Sequence, residues 1–320
     1  MMSCCLFIGD HVRGRLNESF PRVGDISPDF PVAWFCPDRR KSDHTGSWWA
    51  LWDPAKLSSM VSEADAVAKQ SSAEWKWVSD LSDTYRVMVH TPRDAQTYPR
   101  SHGHLDFGSF LLYDADGPML VDRGRCSYRS DGLGSYGFSA QAHNTTLING
   151  QPLLPNSTGL SRGYRQFLND ASIQIETGAQ ESKLSWQTKA INRLARSLSW
   201  SRSIALTPQG VDISESISNS EGVDLTVESY LHWAPGWKIR PDASRSAERY
   251  SSVVISGEKG YHLDILHSHD DFMVDWFTAD DTSGHGWHFP EYGQKVPALT
   301  LRLFYRTSQD SRFQFSIRPL

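Results

Sequence analysis

The sequence lacks any apolar run close to the roughly 20 residues that a membrane-spanning helix needs, so we predict no membrane span. It also lacks a recognisable export signal. The apolar stretch in the opening MMSCCLFIGDHVRGR is short, and its positive charges follow it instead of preceding it. The compartment is therefore left open. A periplasmic or extracellular location is expected only if the chain is a fragment of a longer precursor.

Cysteine and positive charge are also scarce. The four cysteines, Cys4, Cys5, Cys36 and Cys126, show no C-x-x-C spacing, which argues against a disulfide framework or a zinc knuckle and favours free thiols. The 32 Lys and Arg residues are scattered among 37 Asp and Glu residues, giving a net charge of −5. Because a phosphate backbone requires a basic face, we predict no nucleic-acid partner.

Aromatic and strand-forming residues are abundant, with 12 Trp, 11 Tyr and 14 Phe in 320 residues. Residues 1–74 read as a short helical or irregular segment. Residues 75–320 read as strand after strand, including YRVMVH, GSFLLY, PMLVD, SVVIS, YHLDILH, TLRLFYR and FQFSI. Hairpins are predicted across DADG, GEKG and TPQG. With no alternating helices, the pattern predicts an all-β fold, a large antiparallel β-sandwich over 75–320.

A cluster of histidines and acids lies between residues 100 and 145. His102 and His104 are two residues apart, so an extended backbone would present both rings on one face. His104, Asp122 and His143 are a donor set suited to Zn²⁺, with a fourth position left for water or substrate. The DADG turn places Asp122 far from His104, so the chain before Gly108 must curl back. The rival carboxylates are Asp106, Asp114 and Asp116, and the later HSHDD at 267–271 is a second, weaker candidate.

The same segment resembles a known family. His-x-His-x-Asp at 102–106, Gly-Ser-Phe at 108–110, Val-Asp-x-Gly at 121–124 and Ala-His-Asn-Thr at 142–145 occur in order. Together with RSLSWSRSIAL, HWAPGW and GWHFPEYGQKVPALTLRLFYRT, they resemble the heparinase II/III-like β-sandwich domain of polysaccharide lyases over about residues 80–320.

The resemblance implies roles for individual residues. His104, Asp122 and His143 match the family's structural zinc ligands, and His102 matches a catalytic histidine that faces the substrate. Tyr128 resembles a catalytic-cleft tyrosine, and Tyr136 competes with it as a residue that lines the sugar site. The implied reaction is β-elimination on a uronate-containing polysaccharide such as alginate or a glycosaminoglycan.

Three arginines flank this segment. Arg100, Arg123 and Arg125 are chemically suited to pair with a uronate carboxylate, because a guanidinium offers a fork of donors. This expectation comes from chemistry and is not a family match.

The family's lyases also carry an N-terminal α/α toroid that forms the other wall of the cleft, and residues 1–74 look like the tail of such a domain. We therefore expect a partner chain or second subunit to complete the cleft. One alternative is a non-catalytic carbohydrate-binding or polysaccharide-assembly module that uses Trp233, Trp237 and Trp287. Another is a uronyl C5-epimerase relative.

Overall fold

The computed structural model describes residues 75–79, 84–90, 105–127, 132–155, 171–178, 181–242, 249–257, 259–269, 271–290 and 293–320. The predicted N-terminal segment, 1–74, lies outside these residues, so its helical or irregular character and the boundary at residue 75 stay predictions. None of the described helices is long and apolar enough to cross a membrane.

Strands dominate the described chain. In chain order they are β1 (Trp75–Ser79), β2 (Arg86–His90), β3 (Leu111–Tyr113), β4 (Pro118–Leu120), β5 (Thr146–Ile148), β6 (Gln151–Pro152), β7 (Ala171–Thr177), β8 (Ser182–Thr188), β9 (Leu198–Thr207), β10 (Gly210–Asn219), β11 (Leu225–His232), β12 (Lys238–Pro241), β13 (Tyr250–Ser256), β14 (Gly260–His267), β15 (Met273–Thr278), β16 (Trp287–His288), β17 (Val296–Pro297), β18 (Leu299–Thr307) and β19 (Ser311–Pro319). One short helix, α1 (Gly132–Phe138), and two 3₁₀ turns, Ala140–Ala142 and Ala190–Arg193, accompany them.

The strands form antiparallel sheets. The largest has the order β12-β13-β14-β19-β10-β9-β8-β7, and a second has the order β15-β18-β11-β5-β6. A third sheet, β1-β2-β3-β4, and the pair β16-β17 complete the set. The predicted all-β, antiparallel fold is therefore confirmed.

Alternating burial explains how the two larger sheets pack. Along β9, every second residue is buried, because successive side chains leave opposite faces of a strand. Trp200 and Ile213 of the eight-stranded sheet share one apolar core with Leu231 and Leu303 of the five-stranded sheet. The sheets thus meet face to face, as a sandwich requires.

The predicted hairpins are present. β9 and β10 pair from Thr207 and Gly210, and β13 and β14 pair from Ser256 and Gly260. β3 and β4 also pair, with a register irregularity at Leu112–Tyr113. At Gly108, where a bulge was expected, the chain turns: Gly108 has a φ of +83°, and the Ser109 N–H donates to the Asp106 carbonyl at 2.9 Å. The rest of the expected curl, at residues 102–104, lies outside the described residues.

Candidate functional site

Asp122 and His143 lie in contact inside the protein. Asp122 follows β4, and His143 ends the 3₁₀ turn that leads into β5. The His143 Nδ1 and Asp122 Oδ2 atoms are 2.7 Å apart, and the two side chains are 0% and 1% exposed. The Gly124 N–H donates to the other carboxylate oxygen, Oδ1, at 3.0 Å. Two of the three predicted metal ligands therefore converge.

Burial by itself would lower the pKa of His143, but the charge and hydrogen bond of Asp122 outweigh it and raise the pKa. The Asp106 charge adds to this rise. An ionised Asp122 accepts the proton of Nδ1, so in the neutral form of His143 the lone pair is on Nε2. Nε2 is then the atom of His143 that can accept a proton.

Asn144 holds this pair in register with its neighbours. Its side-chain amide donates to the carbonyls of Phe110, at 2.8 Å, and Val121, at 3.2 Å. Its amide oxygen accepts the His232 N–H at 2.8 Å. Three separate segments are thus tied to the residue that follows His143. Sequence reasoning included Asn144 in the Ala-His-Asn-Thr motif but assigned it no role.

Arg123 is fully buried, which differs from the expectation of an arginine open to a uronate. Its Nε donates to His232 Nδ1 at 2.7 Å, and its Nη2 donates to the Leu299 carbonyl at 2.5 Å and to Thr300 Oγ1. Burial, followed by the charge of Arg123, lowers the pKa of His232 well below its usual value. His232 is therefore neutral. Nη1 has no hydrogen-bond partner among the described residues, so the predicted substrate contact would have to use that atom.

Tyr136, the alternative sugar-site tyrosine, projects from α1 into the interior and is 7% exposed. Its hydroxyl lies 3.1 Å from His285 Nδ1 and 3.2 Å from the Gln141 carbonyl. Burial raises the pKa of Tyr136, so the phenol is protonated. In this position Tyr136 anchors α1 to the loop that carries His285.

His285 was missed by the sequence reasoning, although it directly precedes the GWHFPEYG block, which begins at Gly286. Its ring packs against Tyr136, Tyr230 and Phe277, with centroids 4.8–5.3 Å apart. Burial is the main cause that lowers the pKa of His285 to about 4. The charges of Arg302 and Arg123 act in the same direction, and the charge of Asp280 opposes them.

The remaining predicted residues are not brought into this cluster by the described structure. Arg125 is half-buried, its Nε donates to the Ser127 carbonyl at 3.0 Å, and its guanidinium lies 5.9 Å from the Phe138 ring centroid. Arg100, His102, His104 and Tyr128 lie outside the described residues. Their roles stay predictions.

Two of the three residues of the predicted zinc site, Asp122 and His143, lie within the described part of the chain. In the described part of the chain no group of three His, Cys, Asp or Glu side chains could hold a metal ion. The predicted set requires His104, which is outside that part. The 2.7 Å contact between His143 Nδ1 and Asp122 Oδ2 is a hydrogen bond, and an ion bound by both atoms would replace the proton between them. The weaker candidate at 267–271 is a ring stack: His267 packs on Phe272 at 4.1 Å and His269 on Tyr305 at 4.6 Å.

The tryptophans proposed for sugar stacking lie in different environments. Trp233 is 0% exposed and packs on Trp276, so the expectation that it stacks on a sugar is wrong, because the ring belongs to the core. Trp237 is half-buried beside a cavity of about 370 Å³ that includes Asp116 and Lys259. Trp287 lies under the Lys295 ammonium, 4.0 Å from its ring centroid.

Comparisons with known proteins agree with this architecture. The family described as "Heparinase II/III-like, C-terminal" matches residues 68–316. The structure of heparan sulfate lyase HepC from Pedobacter heparinus is similar, with a TM-score of 0.62 at 12% identity over 97% of this chain and 45% of that one. A heparinase III gene product gives a TM-score of 0.58 at 11% identity over 83% of this chain and 40% of that one. No curated protein matches the sequence. The chain spans less than half the length of either similar structure.

Proposed function

Because the chain belongs to the heparinase II/III-like family, we propose that it is a polysaccharide lyase, or one half of a lyase, that cleaves an acidic, uronate-containing polysaccharide by β-elimination. The observation that carries the proposal is the family match over residues 68–316. The buried Asp122–His143 contact supports it, because both residues stand in the motifs through which the sequence resembles the family.

The reaction requires three roles. A base removes the C5 proton of the uronate, the electron pair forms the C4–C5 double bond, and the C4–O bond breaks as the departing oxygen takes up a proton. We assign the base to His102, with Tyr128 beside the sugar as the second catalytic group. Arg100 and Arg125 are the candidates to neutralise the carboxylate, which makes the C5 proton more acidic.

We further propose that His104, Asp122 and His143 hold a structural Zn²⁺. When bound, the ion would join the three segments that carry these side chains and add its binding free energy to folding. Metal analysis and thermal melts with and without a chelator test this. Chelation should lower the melting temperature of the wild type and leave that of His143→Ala unchanged. Identical wild-type melts in both conditions would contradict it.

The partner in this proposal is an acidic polysaccharide, and a partner chain or second subunit completes the cleft. A similar solved structure is that of a heparan sulfate lyase, so heparan sulfate is the first polymer to test, with alginate next. The assay is the rise in ultraviolet absorbance of the unsaturated uronate product.

Two matched variants sharpen the assay. Removal of His102 (His102→Ala) should lower the rate by about 100-fold or more, since a general base contributes at least that much. His262→Ala, a partly exposed histidine on β14 next to Asp242, should leave the rate unchanged. A folded protein that releases no unsaturated product from any uronate polymer would overturn the lyase proposal. A changed C5 configuration without cleavage would point to an epimerase.

A further inference from the structure

An ion pair lies in the core between two adjacent inner strands of the largest sheet. Arg202 of β9 stands directly opposite Glu215 of β10, and both side chains are 1% exposed. Arg202 Nε and Nη2 both donate to Glu215 Oε2, at 3.0 and 2.6 Å. Taking two charges out of water costs much of what their attraction returns, so stability alone explains such a pair poorly.

The rest of the Arg202 guanidinium binds two backbone carbonyls of other segments. Nη1 donates to the Gly108 carbonyl at 2.8 Å and to the Asn144 carbonyl at 2.5 Å. Gly108 belongs to the turn that follows the His-x-His-x-Asp motif, and Asn144 directly follows His143. One rigid group therefore fixes the separation of the two segments on either side of the candidate site.

The pair also reaches the opposing sheet. Thr146 of β5 donates its hydroxyl to Glu215 Oε1 at 2.5 Å, and Arg202 Nη2 lies 3.1 Å from both Thr146 Oγ1 and Ser229 Oγ of β11. Each N–H of the guanidinium has an acceptor, which fixes its plane. Gly108 is pressed against the ring of Trp200, since a Cβ there would lie 2.6 Å from Cη2. The Gly108 turn is thus held by packing and by hydrogen bonds from the same strand.

We propose that Arg202 is a positioning residue of the candidate active site. It holds the turn at residues 106–109 at a fixed distance from His143, and Glu215 fixes the orientation of its guanidinium. The contacts of Arg202 are observed in the structure and do not depend on an assigned activity. Their effect on turnover rests on the proposed lyase function.

Two substitutions separate this role from support of the fold. In Arg202→Lys, a single ammonium keeps the pairing with Glu215 but lacks the planar fork that reaches two carbonyls as well. In Arg202→Met/Glu215→Leu, both charges are removed together and replaced by apolar side chains, so no charge is left unpaired in the core. Arg318→Lys is the control, because Arg318 makes a bidentate pair with Asp212 of the same sheet at a partly exposed position.

The first measurement is hydrogen exchange on the full chain. The Ser109 amide, which donates to Asp106 within the turn, should exchange about tenfold faster or more in both Arg202 variants. Amides of β9 and β10 should keep wild-type protection. The control should match the wild type throughout. Unchanged protection of Ser109, or an equal loss of protection across β9 and β10, would overturn the proposal.

The second measurement is turnover on a polymer that the wild type cleaves. We expect kcat to fall by about tenfold to 100-fold with little change in KM, because small displacements of catalytic groups act on the chemical step. Wild-type kcat in Arg202→Lys would overturn the positioning role. Absence of turnover in the wild type itself is a failure of the lyase proposal, and the exchange measurement then decides on Arg202 alone.

Discussion

Replacing Asp122 by asparagine probes the buried pair without changing its shape. Among the described residues, the Asp122 carboxylate accepts hydrogen bonds from the Gly124 N–H at 3.0 Å and from His143 Nδ1 at 2.7 Å. An amide has only one oxygen. If that oxygen keeps the Gly124 N–H, the amide NH₂ faces Nδ1 of His143, which must then accept a hydrogen bond. The imidazole proton moves to Nε2, and the lone pair that could accept a proton is lost from that atom.

The magnitudes of this change follow from the contacts. A hydrogen bond to a charged group is worth about 1.5–3 kcal/mol and a neutral one about 0.5–1.5 kcal/mol, so Asp122→Asn should lower the free energy of unfolding by about 1–2 kcal/mol. Asp122→Ala leaves both donors without an acceptor, and breaking a buried pair in this way should cost about 3–5 kcal/mol. Lyase activity should fall by about 10-fold to 100-fold in both variants, because both lose the carboxylate that orients His143 and that is proposed as a ligand of the Zn²⁺.

Urea unfolding followed by tryptophan fluorescence gives the stability difference, and ¹⁵N NMR of labelled histidine gives the tautomer of His143. The decisive combination is a small loss of stability with a proton on Nε2 in Asp122→Asn. The reasoning is refuted if Asp122→Asn is as unstable as Asp122→Ala, or if His143 keeps its proton on Nδ1 in the asparagine variant.

Two further outcomes are expected. Gly108→Ala should lower the free energy of unfolding by about 2–4 kcal/mol, because its φ of +83° strains a side chain and the new Cβ would lie 2.6 Å from Trp200. Gly150→Ala has a φ of +69° but open space around the Cβ, so it should cost about 1 kcal/mol, and equal losses in urea titrations would contradict the clash. For His285, burial together with two nearby arginines lowers the pKa from 6.5 to about 4, so the unfolded chain takes up a proton in this window that the folded chain refuses. The folding stability that His285 contributes above pH 6.5 is therefore lost as the pH falls toward 4. The free energy of unfolding should fall by about 3 kcal/mol more in the wild type than in His285→Gln. Equal pH slopes of this free energy in urea titrations of the two proteins would show the reasoning to be wrong.

The sheets could be predicted from the sequence because strand alternation is a local signal. The same alternation places Arg202 in a buried row of β9. Leu198, Trp200, Ile204 and Leu206 occupy alternate positions of that strand, and Arg202 stands in the middle of them. A charged residue in the core register of one strand requires a partner, and the core register of the adjacent strand supplies Glu215.

Contacts between distant segments could not be predicted in this way. Arg123 meets His232 across 109 residues, and Tyr136 meets His285 across 149. Periodicity carries no information on such pairs, because they depend on how the sheets pack. The contact between Asp122 and His143 was expected from their chemistry as metal ligands and from the family resemblance. The hairpin register did not predict it, because by itself that register argued against a site shared with His104.

Short strands explain why so many polar side chains surround the candidate site. β3, β4 and β5 have three residues each, so their ladders offer few hydrogen bonds to fix the register. Side chains replace the missing ladder bonds. Asp114 accepts the N–H groups of residues 116 and 117 at the turn and the Tyr261 hydroxyl at 2.6 Å. Asn144 and Arg202 likewise donate hydrogen bonds to backbone carbonyls of the segments that lie beside His143, at Phe110, Val121 and Gly108. The long strands of the sandwich therefore carry the apolar core, and the geometry of the site depends on individual polar groups, each of which can be removed without removing a strand.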